Sequence, residues 1–511
     1  MVGLTLLRAV TTNVDGTGIR VAQPEGGYGS ATNWEVNPGA VGVASNLFTY
    51  YSASGTASSF PNGVGAVSDH ANGVAQNFYG VSSGVATNVA HVDNYDADYF
   101  VQLGYYLTGP VTNWFCQLAG ANPTDHVVNQ SFIFGSVPDQ ISVVMQQAID
   151  SGYDNYAATN NTSFVSGAGN GGVVCPPSTC YNGRSVGAYG GSSSIGPTFD
   201  NGRCKPDITA PAGVTSYSTP QVAGAAADLM QAGLRGDGGG DTNSATDIRT
   251  VKALLLNGAV KPVDWTNALS SPLDARYGAG VLNVFNAYKQ LAGGKRSFIV
   301  ATTVATGGAH PPTGATGTVS VLSGWDFNTN TSAQHPSALD AVNHYYFNAT
   351  NGNPGATFTA TATIVWNRQN NQTAINNLNL FLYNAANSNL VACSTSLVDN
   401  VEHIYKTKLV QGRYDLQVWK AGGATVTTSE AYALAFEFFS DTLTITRTGT
   451  NTALTWPVYP AGFLVESATN LIAPAWSTNN LPAPTVTNNS NRIWLATTNA
   501  NQFFRLRRPN F

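Results

Sequence analysis

Across residues 292–296, Ala-Gly-Gly-Lys-Arg, the hydrophobic periodicity of the chain changes kind. Before this point short apolar runs alternate with helical patterns. Gly18–Ala22 reads as a buried strand, Val85–His91 leads into another, and Asp125–Phe134 and Ser163–Ala168 are two more. Helical patterns run over Ile141–Ala157, Ser216–Leu234 and Thr246–Asn257, and Gly278–Tyr288 opens a last helix. Strands alternating with helices require a parallel sheet covered on both faces. After residue 296 only period-two runs remain: Asn377–Tyr383, Arg413–Trp419 and Ala431–Phe439, separated by turn clusters such as Asn351–Gly355. That pattern belongs to a β-sandwich. A second break near Ser440-Asp441 opens a shorter β-region suited to about seven strands or fewer. The expected architecture is an α/β unit over 1–294, a β-sandwich over 295–440 and a small β-domain over 441–511. A length of 511 residues fits such a division.

Charged residues make up 10% of the chain, against the usual quarter, and Gly, Asn, Thr, Ser and Ala supply the polar surface. This suits a secreted protein. Net charge is −5 with the basic residues thinly spread, so no footprint for nucleic acid exists. No apolar run is long enough to span a bilayer. Met1–Val10 lacks the apolar core and cleavage site of a signal peptide, so the expectation is a processed, mature form or a trimmed one, unless the protein is not secreted. The five cysteines leave at least one unpaired, and Cys175 and Cys180 flank a loop open to a local disulfide or to free thiols.

Lys205–Met230 runs from a Pro-bounded extended segment into a helix of small residues, with Thr215-Ser216 at the junction. A hydroxyl at a helix start can cap free N–H groups. It can also be a nucleophile whose oxyanion donors lie close by. Serine hydrolysis needs in addition an imidazole, a carboxylate to orient it and a donor for the oxyanion. His70 stands where Gly73-Val74-Ala75 can open a helix, and Asn170 lies in a Gly-rich loop after a strand. Separately these read as a structural histidine and a plain turn.

Taken in order, the pieces resemble the subtilisin-like serine proteases over about residues 15–292. The matching segments are Val21-Ala22-Gln23-Pro24-Glu25, His70 with Val74-Ala75, Ala168-Gly169-Asn170, and Thr215-Ser216 through Gly224 with Pro220. Ser185–Ala188, Lys205–Ile208 with Ala210-Pro211, and Tyr277–Asn283 agree as well. The resemblance implies a Ser216 nucleophile, His70 as base, Glu25 as orienting acid and Asn170 as oxyanion donor. It also implies that Ser131, Ala168 and Gly169 line the primary specificity pocket, with Phe132 and Phe134 as an apolar wall or as core. Glu25 departs from the family's Asp, leaving Asp15 and Asp69 as rivals. Asp15 falls before the strand, and Asp69 points away from His70 if both begin a helix. His70 lacks the usual Gly-Thr, Val214 and Ser218 replace a Gly and an Ala, and the segment before Ser216 is short.

The region Ser323–Phe439 resembles the β-sandwich domains that follow bacterial secreted peptidases. Leu378–Tyr383, Asp399–Glu402 and Gly412–Leu416 carry that likeness. Some such domains bind calcium, which makes Asp399 and Glu402 candidate ligands of a structural ion; turn and surface carboxylates are the plainer account. No other cofactor is implied. Trp456, Trp476 and Trp494 in the last region are core residues or a carbohydrate platform. The function expected is a secreted serine endopeptidase acting on proteins or peptides, with cell-surface or polysaccharide contact through the C-terminal domains. The alternatives are a catalytically silent subtilase fold used for surface binding or extracellular assembly, and a protein whose β-domains carry the function. A sedolisin-like acid peptidase with Glu as base is disfavoured by His70 in the histidine position.

Overall fold

An eight-stranded sheet organises the first part of the chain. The structure, a computed structural model, describes residues 2–298, 321–331, 342–350, 357–421, 426–440, 443–457 and 463–507, apart from 473, 480, 488–489 and 497–500. Its strands are β1 (Arg20–Glu25), β2 (Phe48–Ser52), β3 (Gly55–Ala57), β4 (His91–Asp96), β5 (Val127–Gln130), β6 (Ser163–Gly167), β7 (Arg184–Tyr189) and β8 (Ile208–Pro211). Their order is β8-β7-β6-β5-β1-β4-β2-β3, parallel throughout except for the hairpin partner β3. β1 lies between β4, with Glu25 opposite Asp96, and β5, with Val21 opposite Val127. β5 and β6 are central and buried on both faces, and the pairs Val127-Val128 and Phe164-Val165 are what make them legible, although Asn129, Gln130, Ser163 and Ser166 are buried with them.

The helices that matter to the site are α1 (Asp69–Phe78), α2 (Val143–Asn160), α3 (Thr215–Leu234), α4 (Ile248–Gly258) and α5 (Val284–Ala292). Helix α3 is buried nearly all round, as a run of Ala and Gly without an amphipathic stripe demands. Gly224 is needed there because a Cβ would stand 2.5 Å from that of Val85. The last helix starts later than the expected Gly278. Gly278 and Gly280 take φ values of +60° and +129°, Val281 bridges Thr209 and Val260 as extended chain, and Asn283 caps α5 by accepting from the Asn286 N–H.

The second part is a pair of antiparallel sheets. Strands β9 (Ser323–Thr331), β10 (Asn343–Ala349), β11 (Phe358–Trp366), β12 (Leu378–Asn384), β13 (Asn389–Ser394), β14 (Val401–Leu409), β15 (Gly412–Lys420) and β16 (Ser429–Phe439) form sheets ordered β9-β16-β11-β14 and β10-β15-β12-β13. On β16, Tyr432, Leu434, Phe436 and Phe438 fill the sandwich interior. The intervening Ala433 and Ala435, with Trp325, Val365 and Val401, join the core of the α/β unit instead. Period-two patterning anticipates one buried face; here both are buried, because β11 and β16 pack on α4 and β9 packs on α5. Asn257 of α4 accepts hydrogen bonds from Thr361 (2.8 Å) and Thr363 (3.0 Å) across this boundary.

Asp399 and Glu402 face protein donors. Asp399 accepts from the Cys204 N–H and the Ser396 hydroxyl, both at 2.7 Å, and Glu402 from the Ser396 N–H and the Ser394 hydroxyl. Both carboxylates are buried close to the seam between the two parts, with neighbours that already occupy their oxygens. All five cysteines are free thiols; Cys175 Sγ lies by Gly169 and Val173, and Cys180 Sγ by Gly183, so the loop between them is not bridged. The last part has six described strands: β17 (Thr444–Thr448), β18 (Asn451–Pro457), β19 (Leu464–Ala468), β20 (Thr485–Thr487), β21 (Ser490–Ala496) and β22 (Phe503–Arg507), in sheets β17-β18-β21-β20 and β19-β22. Trp456 is core there, Trp476 lies half-buried beneath Arg505, and Trp494 is exposed. No described helix is long and apolar enough to cross a membrane.

Candidate active site

Parallel strands carry their ligand-facing residues at their C-terminal ends. Glu25 is the last residue of β1 and is buried. His70 sits in the first turn of α1, whose N-cap Ser68 accepts from the Ala71 N–H at 3.2 Å. The helix therefore opens at Asp69 rather than around Gly73. Glycine at 73 serves a different end, since a Cβ there would stand 2.8 Å from the Tyr217 ring, and its absence lets α1 close on the start of α3.

Glu25 Oε2 and His70 Nδ1 are 2.9 Å apart. A carboxylate accepts only, so Nδ1 carries the hydrogen and Nε2 is left with its lone pair. Burial works against a charged imidazole, but the hydrogen bond and charge of Glu25 outweigh it and raise the His70 pKa above its ordinary value. The two rival carboxylates stand elsewhere. Asp15 is engaged by Thr17 and Asn88, and Asp69 is exposed on α1. The imidazole also lies near two tyrosine rings, stacked with Tyr28 at 5.4 Å and tilted against Tyr217 at 6.1 Å.

Ser216 is the second residue of α3, and Val214 is the N-cap without a side-chain bond. Capping is thus not the task of the Ser216 hydroxyl, which makes no hydrogen bond among the described residues. The helix start is held from outside: Asn170 Oδ1 accepts from the Thr215 N–H at 2.9 Å and the Thr215 hydroxyl at 2.8 Å. With its oxygen fixed in this way, Asn170 turns its NH2 group away from Thr215. Pro220 has no N–H to give to the carbonyl four residues back, that of Ser216. The Ser131 hydroxyl takes its place, donating to that carbonyl at 3.0 Å. Ser131 therefore contacts the residue that carries the candidate nucleophile.

Ala168 and Gly169 follow β6 as buried backbone. The Ala168 N–H donates to Val186 and the Gly169 carbonyl accepts from Ser194. Gly169 takes φ +104° and would meet the Ser194 hydroxyl at 2.6 Å if it had a Cβ, so only glycine fits. Phe132 and Phe134 meet edge to face. Three contributors escaped sequence reasoning: Tyr28, Tyr217 and Gln23. Gln23 had a signal, since it lies two residues before Glu25 on a strand and therefore shares its face.

Comparison with known proteins adds the following. No curated protein matches the chain. Among solved structures, the chain is similar to the prenylagaramide maturation protease PagA at 21% identity, covering 57% of this chain and 100% of that one with a TM-score of 0.39. It is also similar to tripeptidyl peptidase 2 at 12% identity, covering 80% of this chain and 48% of that one with a TM-score of 0.30. Residues 117–280, which include Ser131, Asn170 and Ser216 and leave out Glu25 and His70, match the Subtilase family, and the parallel sheet they help to build has the subtilase fold.

Proposed function

We propose that this protein is a serine peptidase that cleaves peptide bonds by acyl transfer, with Ser216 as nucleophile, His70 as base and Glu25 as orienting acid. His70 Nε2 takes the proton of the Ser216 hydroxyl as its oxygen attacks the scissile carbonyl. The carbon becomes tetrahedral and its oxygen negative, and the Asn170 NH2 group and the Ser216 N–H donate to that oxygen. The imidazolium returns its proton to the leaving amine, and water repeats the sequence to release the acyl group. Glu25 keeps the hydrogen on Nδ1 and stabilises the imidazolium. The observation that carries this reading is the 2.9 Å contact between Glu25 Oε2 and His70 Nδ1 at the end of the sheet where α3 begins. The Subtilase match over 117–280 supports the serine peptidase class. Cleavage within chains and release from the cell complete the proposal, the latter supported by the 10% charged fraction.

A fluorophosphonate probe tests it directly. The folded chain is expected to be labelled at Ser216 and to hydrolyse a denatured protein substrate, and both signals should vanish in Ser216→Ala. Absence of label on folded protein would sink the enzyme reading.

A further inference from the structure

We propose that Gln23 is a positioning residue for the Glu25–His70 pair, held in its turn by the Tyr79 hydroxyl. The inference rests on the reading of Glu25 and His70 given above. Gln23 Nε2 donates to Glu25 Oε1 at 2.8 Å and to the Ala71 carbonyl at 3.0 Å, and Gln23 Oε1 accepts from the Tyr79 O–H at 2.6 Å. All four residues are buried.

The amide can face only one way. Turned over, its oxygen would oppose a carboxylate and a carbonyl, leaving Oε1 of the buried Glu25 without the Gln23 donor. Tyr79 guards that orientation by donating to the oxygen. Each neighbour thus sees one polarity: Tyr79 gives to Gln23, Gln23 gives to Glu25, and His70 gives to the other oxygen of Glu25.

Two geometric consequences follow. Glu25 and Gln23 lie two residues apart on β1 and share a face. A glutamate has one more rotatable bond than an aspartate, so its carboxylate has more ways to turn; the Gln23 bond to Oε1 selects the one that presents Oε2 to His70. Ala71 is the next residue to His70 on α1. One side chain therefore ties the strand that carries the acid to the helix turn that carries the imidazole. Tyr79, the C-cap residue of the same helix, closes the circuit.

The test uses the full chain with Gln23→Leu and Tyr79→Phe. Misplacement of a catalytic group by a neighbour's loss costs up to about 10²-fold in rate, the expected fall in kcat for Gln23→Leu. Tyr79→Phe keeps the packing and removes one hydroxyl, so a fall of up to about tenfold is expected, with KM unchanged in both. NMR titration of His70 supplies a readout that needs no turnover. Its pKa should fall in both variants as the carboxylate leaves the imidazole. Wild-type kcat in both variants, or a His70 pKa that holds or rises, overturns the proposal. If Gln23→Leu does not fold, Tyr79→Phe decides by the same measures. Should the wild-type chain cleave no peptide, the peptidase reading fails while the titration still decides whether Gln23 and Tyr79 hold the pair.

Discussion

Replacing Glu25 by Gln removes a charge and turns one oxygen into an NH2 group, and the donors already present decide which way the new amide faces. Gln23 Nε2 donates to Oε1 at 2.8 Å, so the oxygen of the new amide stays on that side and its NH2 group points at His70 Nδ1. Two N–H groups cannot share the 2.9 Å contact, so the imidazole must give up its Nδ1 hydrogen and carry one on Nε2 instead. That tautomer cannot accept the Ser216 proton. A wrong-tautomer substitution of this kind costs about 10⁴ in kcat, equivalent to about 5.4 kcal/mol of transition-state stabilisation. The assay is kcat and KM on one peptide substrate, with KM expected to hold because the change is felt in the transition state. The pH profile adds a second signature. Glu25 raises the His70 pKa, so the neutral base required for activity appears at higher pH than it would without the carboxylate, and the acid limb should move to lower pH in the variant. Retention of a tenth or more of wild-type kcat would refute the reasoning and remove Glu25 from its role as orienting acid.

Asn170→Ala should lower kcat by about 10²–10³ with little change in KM, the magnitude observed on removing such a donor in subtilisin. Ser131→Ala leaves the Ser216 carbonyl without a donor and should cost about 1 kcal/mol in chemical denaturation, and adding Pro220→Ala, which supplies the missing N–H, should recover part of it. Asn257→Ala takes the acceptor from the buried Thr361 hydroxyl and the bond from Gln290, while Thr363 keeps His403 Nδ1 at 2.7 Å, and should lower stability by about 1–3 kcal/mol in one transition seen alike by probes in either part of the chain. Burial pushes the Glu437 pKa upward against the opposing charge of Lys289, so the folded state binds a proton that the unfolded chain releases. The contribution of this group to stability should therefore decline as pH rises above about 4.5, and Glu437→Gln should flatten that slope.

The strands and helices that carry the site were legible because the strands hold short apolar pairs, such as Val127-Val128 or Phe164-Val165, and the middle of α3 is a run of small and apolar residues. Glu25 entered through the order of the subtilase-like segments and His70 was set just ahead of a helix expected to open around Gly73, whereas Ser216 could be placed at the head of α3 from local pattern. The start of α5 could not, since Gly278 and Gly280 adopt conformations that no periodicity records and Asn283 does the capping. The surroundings of Asp399 and Glu402 were illegible for a related reason. A carboxylate in a turn looks alike whether it meets solvent, an ion or backbone N–H groups from 195 residues away, as Asp399 meets Cys204. The Ser131 bond to Ser216 was hidden too, although Pro220 announced a carbonyl in need of a donor. Tyr28 and Tyr217 gave no signal, because the proximity of rings to His70 arises only when β1, α1 and α3 converge.

The alanines of β16 bear on how long such a molecule lasts. A peptidase lives among copies of itself, and its commonest point of attack is a strand or loop that opens briefly while the remainder stays folded. Ala433 and Ala435, with Trp325, press the sandwich into the same apolar interior that holds α4 and α5. Undocking the sandwich would wet that interior, so the seam resists opening on its own. Truncation after residue 294 should accordingly yield a shorter-lived enzyme rather than a minimal one, with its half-life during self-incubation as the visible cost.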